Sequence, residues 1–349
     1  MSEARNFAKR GQLVASFLAG SWRKSPPPLG LSLADVRQIT PLLINFGAGS
    51  LACRRLGQKE RESKPLGESY RLDTLHCALY ERQLIRLAAL FRSSGVDPLL
   101  AKGWVVAKAY PETGVRVPCA MDFWIKPEEY PRAADLLRGI DRGRFPVYLH
   151  QRSRRLEASW EEMYSRSRLL YLGEAQVRAM GLEDHLRLLC LHALYHGAWN
   201  PLWICDIAAL VESRPGDFDW DYCTRAGSSG SDRIAAVLNL ASELLGAGLE
   251  GVPGRLTGGR LPSWLTGSIL RNWGGREYHH GNLSVMSCFR EPERTAEFLL
   301  QLWPNPIHST VRLGAPLNSL PRFPFQAVDG AYRLIRFLFG FPQPICRNP

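Results

Sequence analysis

Eight cysteines (Cys53, Cys77, Cys119, Cys190, Cys205, Cys223, Cys288 and Cys346) are scattered along the chain, and none forms the Cys-x-x-Cys pair of a zinc site. A chain of 349 residues needs no disulfide frame to hold a core, so the thiols read as reduced. Long apolar runs are missing as well: no stretch reaches the roughly 18 uninterrupted apolar residues of a membrane span. The opening MSEARNFAKRGQL is charged and lacks the apolar core of a secretory signal. Together these absences predict a cytoplasmic protein with no transmembrane segment. There is no repeat at a solenoid period, and no low-complexity tract beyond Pro26-Pro27-Pro28. Acidic residues are in deficit, 33 against 44 Lys and Arg, which leaves a formal charge of +11. That excess favours an anionic partner: a nucleotide, an acidic peptide or protein, a nucleic acid or an acidic membrane surface. The RNA-recognition, zinc-finger and helix-turn-helix signatures are all lacking, so sequence-specific nucleic-acid binding is not expected.

What is present is ordinary globular composition, 45% hydrophobic and 22% charged, enough for a sizeable core in two or three sub-domains. Residues 5–20 carry apolar positions in helical rhythm and stop before the three prolines. Ser32 is placed to cap a helix through Val36, Ile39, Leu42 and Leu43. A charged connector, 57–67, leads into an amphipathic helix from Leu72 to Phe91 that Gly95 closes. The next segment, LLAKGWVVAKAYPETGVRVPCAMDFWI, begins at Leu99. It reads as an apolar helix opening on Lys102-Gly103, a turn over Pro111 to Gly114, and a strand carrying Asp122. Phe145 to Leu149 suits a second short strand, and Pro127 to Leu137 a helix between them. Trp160 to Tyr171 is mixed in pattern. Helices follow from Gly181 to His196, Pro201 to Glu212 and Asp232 to Leu245, then a Gly/Pro-rich loop to Ser263. Two more helices, Glu291 to Leu302 and the basic, aromatic Tyr332 to Phe339, end the chain. The latter reads as a last core helix rather than a membrane-surface one. The division expected is an N-terminal helical region (1–95), an α/β core (96–160), a helical subdomain (161–245) and a loop-rich, helical C-terminal region (246–349).

Some residues stand out chemically. Carboxylates two apart on a strand face one side and suit Mg²⁺, which takes hard oxygen ligands. Here Asp122 has Ala120 at that spacing. His192 and His196 share a helical face, with Asp206 on the next helix. His-x-x-x-His is a metal spacing, but the Glu that zincin-type hydrolysis needs is not there, and a buried structural role is the plainer reading. Arg142, Arg144, Arg152, Arg154 and Arg155 bracket the second strand and could steer a triphosphate, an acidic peptide or RNA. A solvated face is the plainer account of them too.

The order Lys102-Gly103, Arg116, Asp122, Val147-Tyr148-Leu149-His150, then His192, His196 and Asp206, resembles the uncharacterised nucleotidyltransferase-like family of the polymerase-β superfamily, over Leu99 to Asp221. That family's pattern is Leu-Lys-Gly, an Arg, Asp-x-Asp on one strand and Val-Asp-Leu-His on another. The resemblance implies an α+β fold, a small mixed-sheet nucleotidyltransferase core embedded in a largely helical chain. It implies Mg²⁺-dependent transfer of a nucleoside monophosphate from an NTP to an unknown acceptor, with a peptide or protein acceptor in view. It makes Asp122 the catalytic residue and metal ligand, and Lys102, Gly103, Arg116 and His150 the nucleotide-binding set. The family's other two carboxylates fall on Ala120 and Tyr148. Those replacements open the alternative of an inactive relative that binds a nucleotide or scaffolds a partner, for example in peptide biosynthesis. A metal-dependent hydrolase built on His192, His196 and Asp206 is a third reading.

Overall fold

The predicted cap at Ser32 forms as a reciprocal pair. Its hydroxyl accepts from the Asp35 N–H, and the Asp35 carboxylate accepts from the Ser32 N–H, both at 3.2 Å. The helix it starts, α2 (Leu33–Asn45), buries Val36, Ile39, Leu42 and Leu43. This computed structural model describes residues 2–56, 65–138, 143–151, 156–225, 227–275 and 303–338. Around α2 lie α1 (Ser2–Leu18) and α3 (Gly49–Leu56). The long helix α4 (Leu66–Ser93) outruns the expected one at both ends. Its buried stripe runs through Cys77, Tyr80, Leu84, Leu87 and Phe91, while Leu72 and Leu75 are exposed. The ring-bearing side of the helix is the one that meets the sheet.

The sheet has five strands in the order β3-β2-β1-β5-β4. Its centre, β1 (Leu99–Ala101), is antiparallel to β2 (Met121–Trp124) and parallel to β5 (Ala175–Ala179). Strand β3 (Val147–His150) is parallel to β2, and β4 (Arg168–Leu172) antiparallel to β5. Two of these strands are the expected ones. The β4–β5 hairpin lies where the pattern looked mixed, because Leu169 and Tyr171 face out between Arg168, Leu170 and Leu172. Gly173, at φ 59°, makes its turn. The Leu-Leu-Ala of β1 is buried throughout, so it shows no alternation to mark it as a strand.

One sheet face packs Leu100, Phe123 and Ala179 against α4 and α6 (Tyr130–Arg138). The other gathers Leu99, Ala101, Trp124 and Met180 with Leu188 of α8 (Leu182–Tyr195) and Met163 of α7 (Trp160–Ser165). A short helix, α5 (Gly103–Ala107), follows β1. The largest apolar cluster joins α1, α2 and α3 to α8, α9 (Pro201–Ser213), α11 (Gly227–Leu245) and α12 (Ser263–Gly274). Between α8 and α12 the chain also forms the one-turn α10 (Trp220–Cys223). Helices α1 and α12 touch backbone to backbone. A Cβ on Gly11 would stand 1.8 Å from the Leu270 carbonyl oxygen, and one on Gly274 1.7 Å from that of Phe7. The fold is α+β.

After α13 (Pro306–Arg312) comes α14 (Phe323–Leu338), which starts well before the expected Tyr332 and leaves Phe323, Val328, Leu334 and Ile335 exposed. It is therefore not wrapped as a last core helix within the described residues. Phe339, the Glu291–Leu302 helix and Arg142, Arg152, Arg154 and Arg155 lie outside those residues. Arg144 is exposed, 3.0 Å from the His76 ring. No helix among the described residues is long and apolar enough to cross a membrane.

Candidate functional site

At the end of β1 the chain turns abruptly from strand to helix through Lys102. Its φ of 59° and ψ of −154° lie in a region that side-chain-bearing residues avoid. Gly103 continues at φ 29° under a tight roof: an added Cβ would meet the Ala120 oxygen and the Pro118 side chain, each at 3.2 Å. With only five residues, α5 contributes little of a macrodipole to this end. The turn is held from behind by His185 in the first turns of α8, whose Nε2 accepts the Lys102 N–H at 2.7 Å.

From that turn the Lys102 ammonium reaches Asp122 on the neighbouring strand, 3.2 Å from Oδ1. The register pairs Asp122 with Ala101 on one side and Tyr148 on the other, and Trp124 with His150. Asp122, Trp124 and His150 thus share one sheet face. The imidazole of His150 stacks on Trp124, with centroids 4.2 Å apart and planes at 25°, and its Nε2 lies 2.9 Å from the same Asp122 oxygen. Lys102 and Asp122 are buried, and His150 is partly buried. Three expected site residues, Lys102, Asp122 and His150, therefore meet at one carboxylate oxygen, and Gly103 makes the approach possible.

Arg116 is placed elsewhere. Its guanidinium grips Asp206 of α9 in a forked pair, Nε to Oδ1 at 2.8 Å and an Nη to Oδ2 at 2.7 Å, and donates to the Val117 carbonyl at 2.6 Å. The Tyr110 hydroxyl donates to Asp206 Oδ1 at 2.8 Å. Burial works against the Arg116 cation, but the Asp206 carboxylate outweighs it and the pKa is raised. His192 and His196 lie with tilted rings, centroids 4.4 Å apart, and meet the ring of Trp203 edge-on. Asp206, expected beside them, spends both oxygens on Arg116 and Tyr110.

Two residues that were not singled out in the sequence belong to this neighbourhood. Burial pushes the His185 pKa down to about 3, the charges of Arg168 and Lys102 push the same way, and Asp122 opposes them. A neutral ring that accepts at Nε2 carries its proton on Nδ1, an atom that is buried and without a hydrogen-bond partner among the described residues. Arg168, at the start of β4, has its pKa lowered, chiefly by burial and against the pull of Glu183; it makes no ion pair among the described residues. Neither could be found from spacing: Arg168 lies on the unrecognised hairpin, and His185 in a leucine-rich helix that reads as core.

The donor set does not fit a two-ion Mg²⁺ site. Of positions 120, 122 and 148 only Asp122 is a carboxylate, and its Oδ1 already lies against a lysine and a histidine. Ala120 offers only a carbonyl, which accepts from the Tyr80 hydroxyl at 3.0 Å, and Tyr148 offers a phenol. No group of three His, Cys, Asp or Glu residues able to hold a metal occurs among the described residues. A cavity of about 630 Å³ lined by Arg23, Glu212, Arg214, Phe218, Trp220 and Glu250 includes none of the residues around Asp122.

A family model described as an uncharacterised nucleotidyltransferase matches residues 31–142 and 147–246. Both matched stretches bear on the site: the first holds Lys102, Gly103 and Asp122, the second Tyr148, His150, Arg168 and His185. No curated protein and no solved structure matches the chain. With most of its length covered by that one model, and an α+β core beneath it, the chain belongs to the uncharacterised nucleotidyltransferase family.

Proposed function

We propose that this protein binds a nucleoside triphosphate over the Lys102–Asp122–His150 cluster and transfers its nucleoside monophosphate to an acceptor hydroxyl. The observation that carries the reading is the convergence of Lys102 and His150 on one oxygen of Asp122, from three adjacent strands within the family match. In this reaction the acceptor oxygen bonds to the α-phosphorus, the bond from that phosphorus to the bridging oxygen breaks, and pyrophosphate leaves. Lys102 meets a phosphate oxygen, since its ammonium is a compact point charge suited to that purpose. His150, oriented by Asp122 through Nε2, accepts the proton of the attacking hydroxyl. Divalent ions ordinarily hold the triphosphate in such transfers, but the residues around Asp122 do not form their cage, and no step here is routed through one. A hydroxyl on a peptide or protein suits the basic character of the chain as acceptor.

The test is calorimetric titration with ATP, GTP, CTP and UTP, followed by assay of pyrophosphate release from each. Binding of a triphosphate and pyrophosphate release that Asp122→Asn and His150→Gln abolish support the proposal. Binding without release of pyrophosphate from any of them marks an inactive relative, the outcome that Ala120 and Tyr148 would then explain. No binding at all removes the nucleotide reading.

A further inference from the structure

We infer that the ammonium of Lys102 stands where a divalent cation would otherwise sit on Asp122, so that the site takes its polyphosphate as the metal-free anion. The inference rests on the nucleotide reading above for the ligand, and on four observations for the charge.

The first is occupancy. Asp122 Oδ1 lies 3.2 Å from the Lys102 ammonium and 2.9 Å from His150 Nε2, with all three side chains no more than a tenth exposed. A doubly charged ion on that carboxylate would share a buried space with an ammonium at contact distance, where like charges repel strongly. The second is the lost cage. The register sets Tyr148 directly beside Asp122, in the place from which a neighbouring strand would offer a carboxylate, and Ala120 holds the position two residues before it. The third is the balance of charge: Arg168 on β4, itself faced by Glu183, acts through space on His185 in the same sense as Lys102 and against Asp122, so no unbalanced negative charge is found around Asp122 among the described residues.

The fourth observation shows that Lys102 is held in place. Its backbone occupies a conformation that suits glycine, and glycine follows it at 103 rather than filling the strained position. The strain persists because the His185 ring takes the Lys102 N–H at 2.7 Å and the ammonium end is fixed on Asp122. A side chain kept in such a conformation, over a carboxylate stripped of its neighbours, is a replacement for the ion's charge.

The experiment titrates ATP into the full chain by calorimetry, once with excess Mg²⁺ and once with EDTA, and separately titrates Mn²⁺ into the nucleotide-free protein by electron paramagnetic resonance. The expected affinity for ATP in EDTA is equal to that in Mg²⁺ or tighter, and Lys102→Met weakens it about tenfold or more in both. Affinity that is about tenfold weaker in EDTA overturns the inference. The Mn²⁺ arm needs no nucleotide. The wild-type protein is expected to show no stoichiometric Mn²⁺, and the variant Lys102→Met with Ala120→Asp and Tyr148→Asp to gain it. Stoichiometric Mn²⁺ in the wild type that Asp122→Asn removes overturns the inference. If ATP binds under neither condition, the proposed function fails and the Mn²⁺ result alone decides this one.

Discussion

Arg116 and Asp206, ninety positions apart, are joined by two hydrogen bonds of 2.8 and 2.7 Å that fasten the loop before β2 to α9. Asp206 is buried and the Arg116 side chain is only a tenth exposed, and the carboxylate also serves Tyr110. Removing one partner from such a pair leaves an uncompensated buried charge. Asp206→Ala is therefore expected to destabilise the protein by about 3–5 kcal/mol, read as a lower urea midpoint, with Asp206→Asn milder because it still accepts from Tyr110. An Asp206→Ala midpoint equal to wild type would show that the pair does not hold the loop.

Acid should weaken the fold through His185. Its folded pKa is depressed to about 3 from an ordinary value near 6.5. Between those two values the unfolded chain binds a proton that the folded chain does not, so stability is full above about pH 6.5 and declines as pH falls toward 3. His185→Gln keeps an acceptor for the Lys102 N–H and cannot titrate. Urea midpoints measured at intervals between neutral and mildly acidic pH are expected to show a shallower decline for the variant than for wild type. Parallel declines would put the acid sensitivity elsewhere.

The backbone at Lys102 gives a test in which glycine beats alanine. Lys102→Ala and Lys102→Gly both lose the ammonium, but only the alanine variant keeps a Cβ at φ 59° and ψ −154°. Glycine is expected to be the more stable of the two by about 1–3 kcal/mol, the reverse of the usual order inside regular structure. Thermal or urea denaturation of the pair decides it, and a more stable alanine variant would mean that the turn is unstrained.

Activity should follow the cluster and not the clamp. His150→Gln is expected to lower pyrophosphate release by about a hundredfold or more, the ordinary worth of a positioned base. Arg116→Lys, which keeps a charge beside Asp206, is expected to affect stability more than turnover, since the Arg116 guanidinium is engaged by Asp206 and the Val117 carbonyl. Equal losses in turnover from both would place Arg116 on the substrate instead.

Much of this was legible in the chain because it is carried by local signals. The Ser32 cap, the α4 and α8 helices and the strand bearing Asp122 each follow from side chains within a few positions of one another. The Lys102, Asp122 and His150 juxtaposition came from a motif order and not from periodicity. What stayed hidden depends on partners distant in sequence. The strand Leu99–Ala101 is apolar at every position because both its faces are covered, so nothing distinguishes it from the helix that follows. That Arg116 pairs with Asp206 could not be read, because the two lie ninety positions apart. His185 is visible only once α8 packs behind the Lys102 turn.

The glycine contact between α1 and α12 bears on how the polypeptide can be shortened. Residues 2–18 and 263–274 both lie outside the stretches shared with the family, yet each is the other's seat, with no room for even a methyl group between Gly11 and Leu270. Trimming either appendage would strip its mate and bare Val14, Phe17 and Ile269 to solvent. A fragment cut to the common portion would lose both helices and bare the apolar side chains of α2 and α11 that share their cluster, and insolubility of such a piece would say nothing about its chemistry.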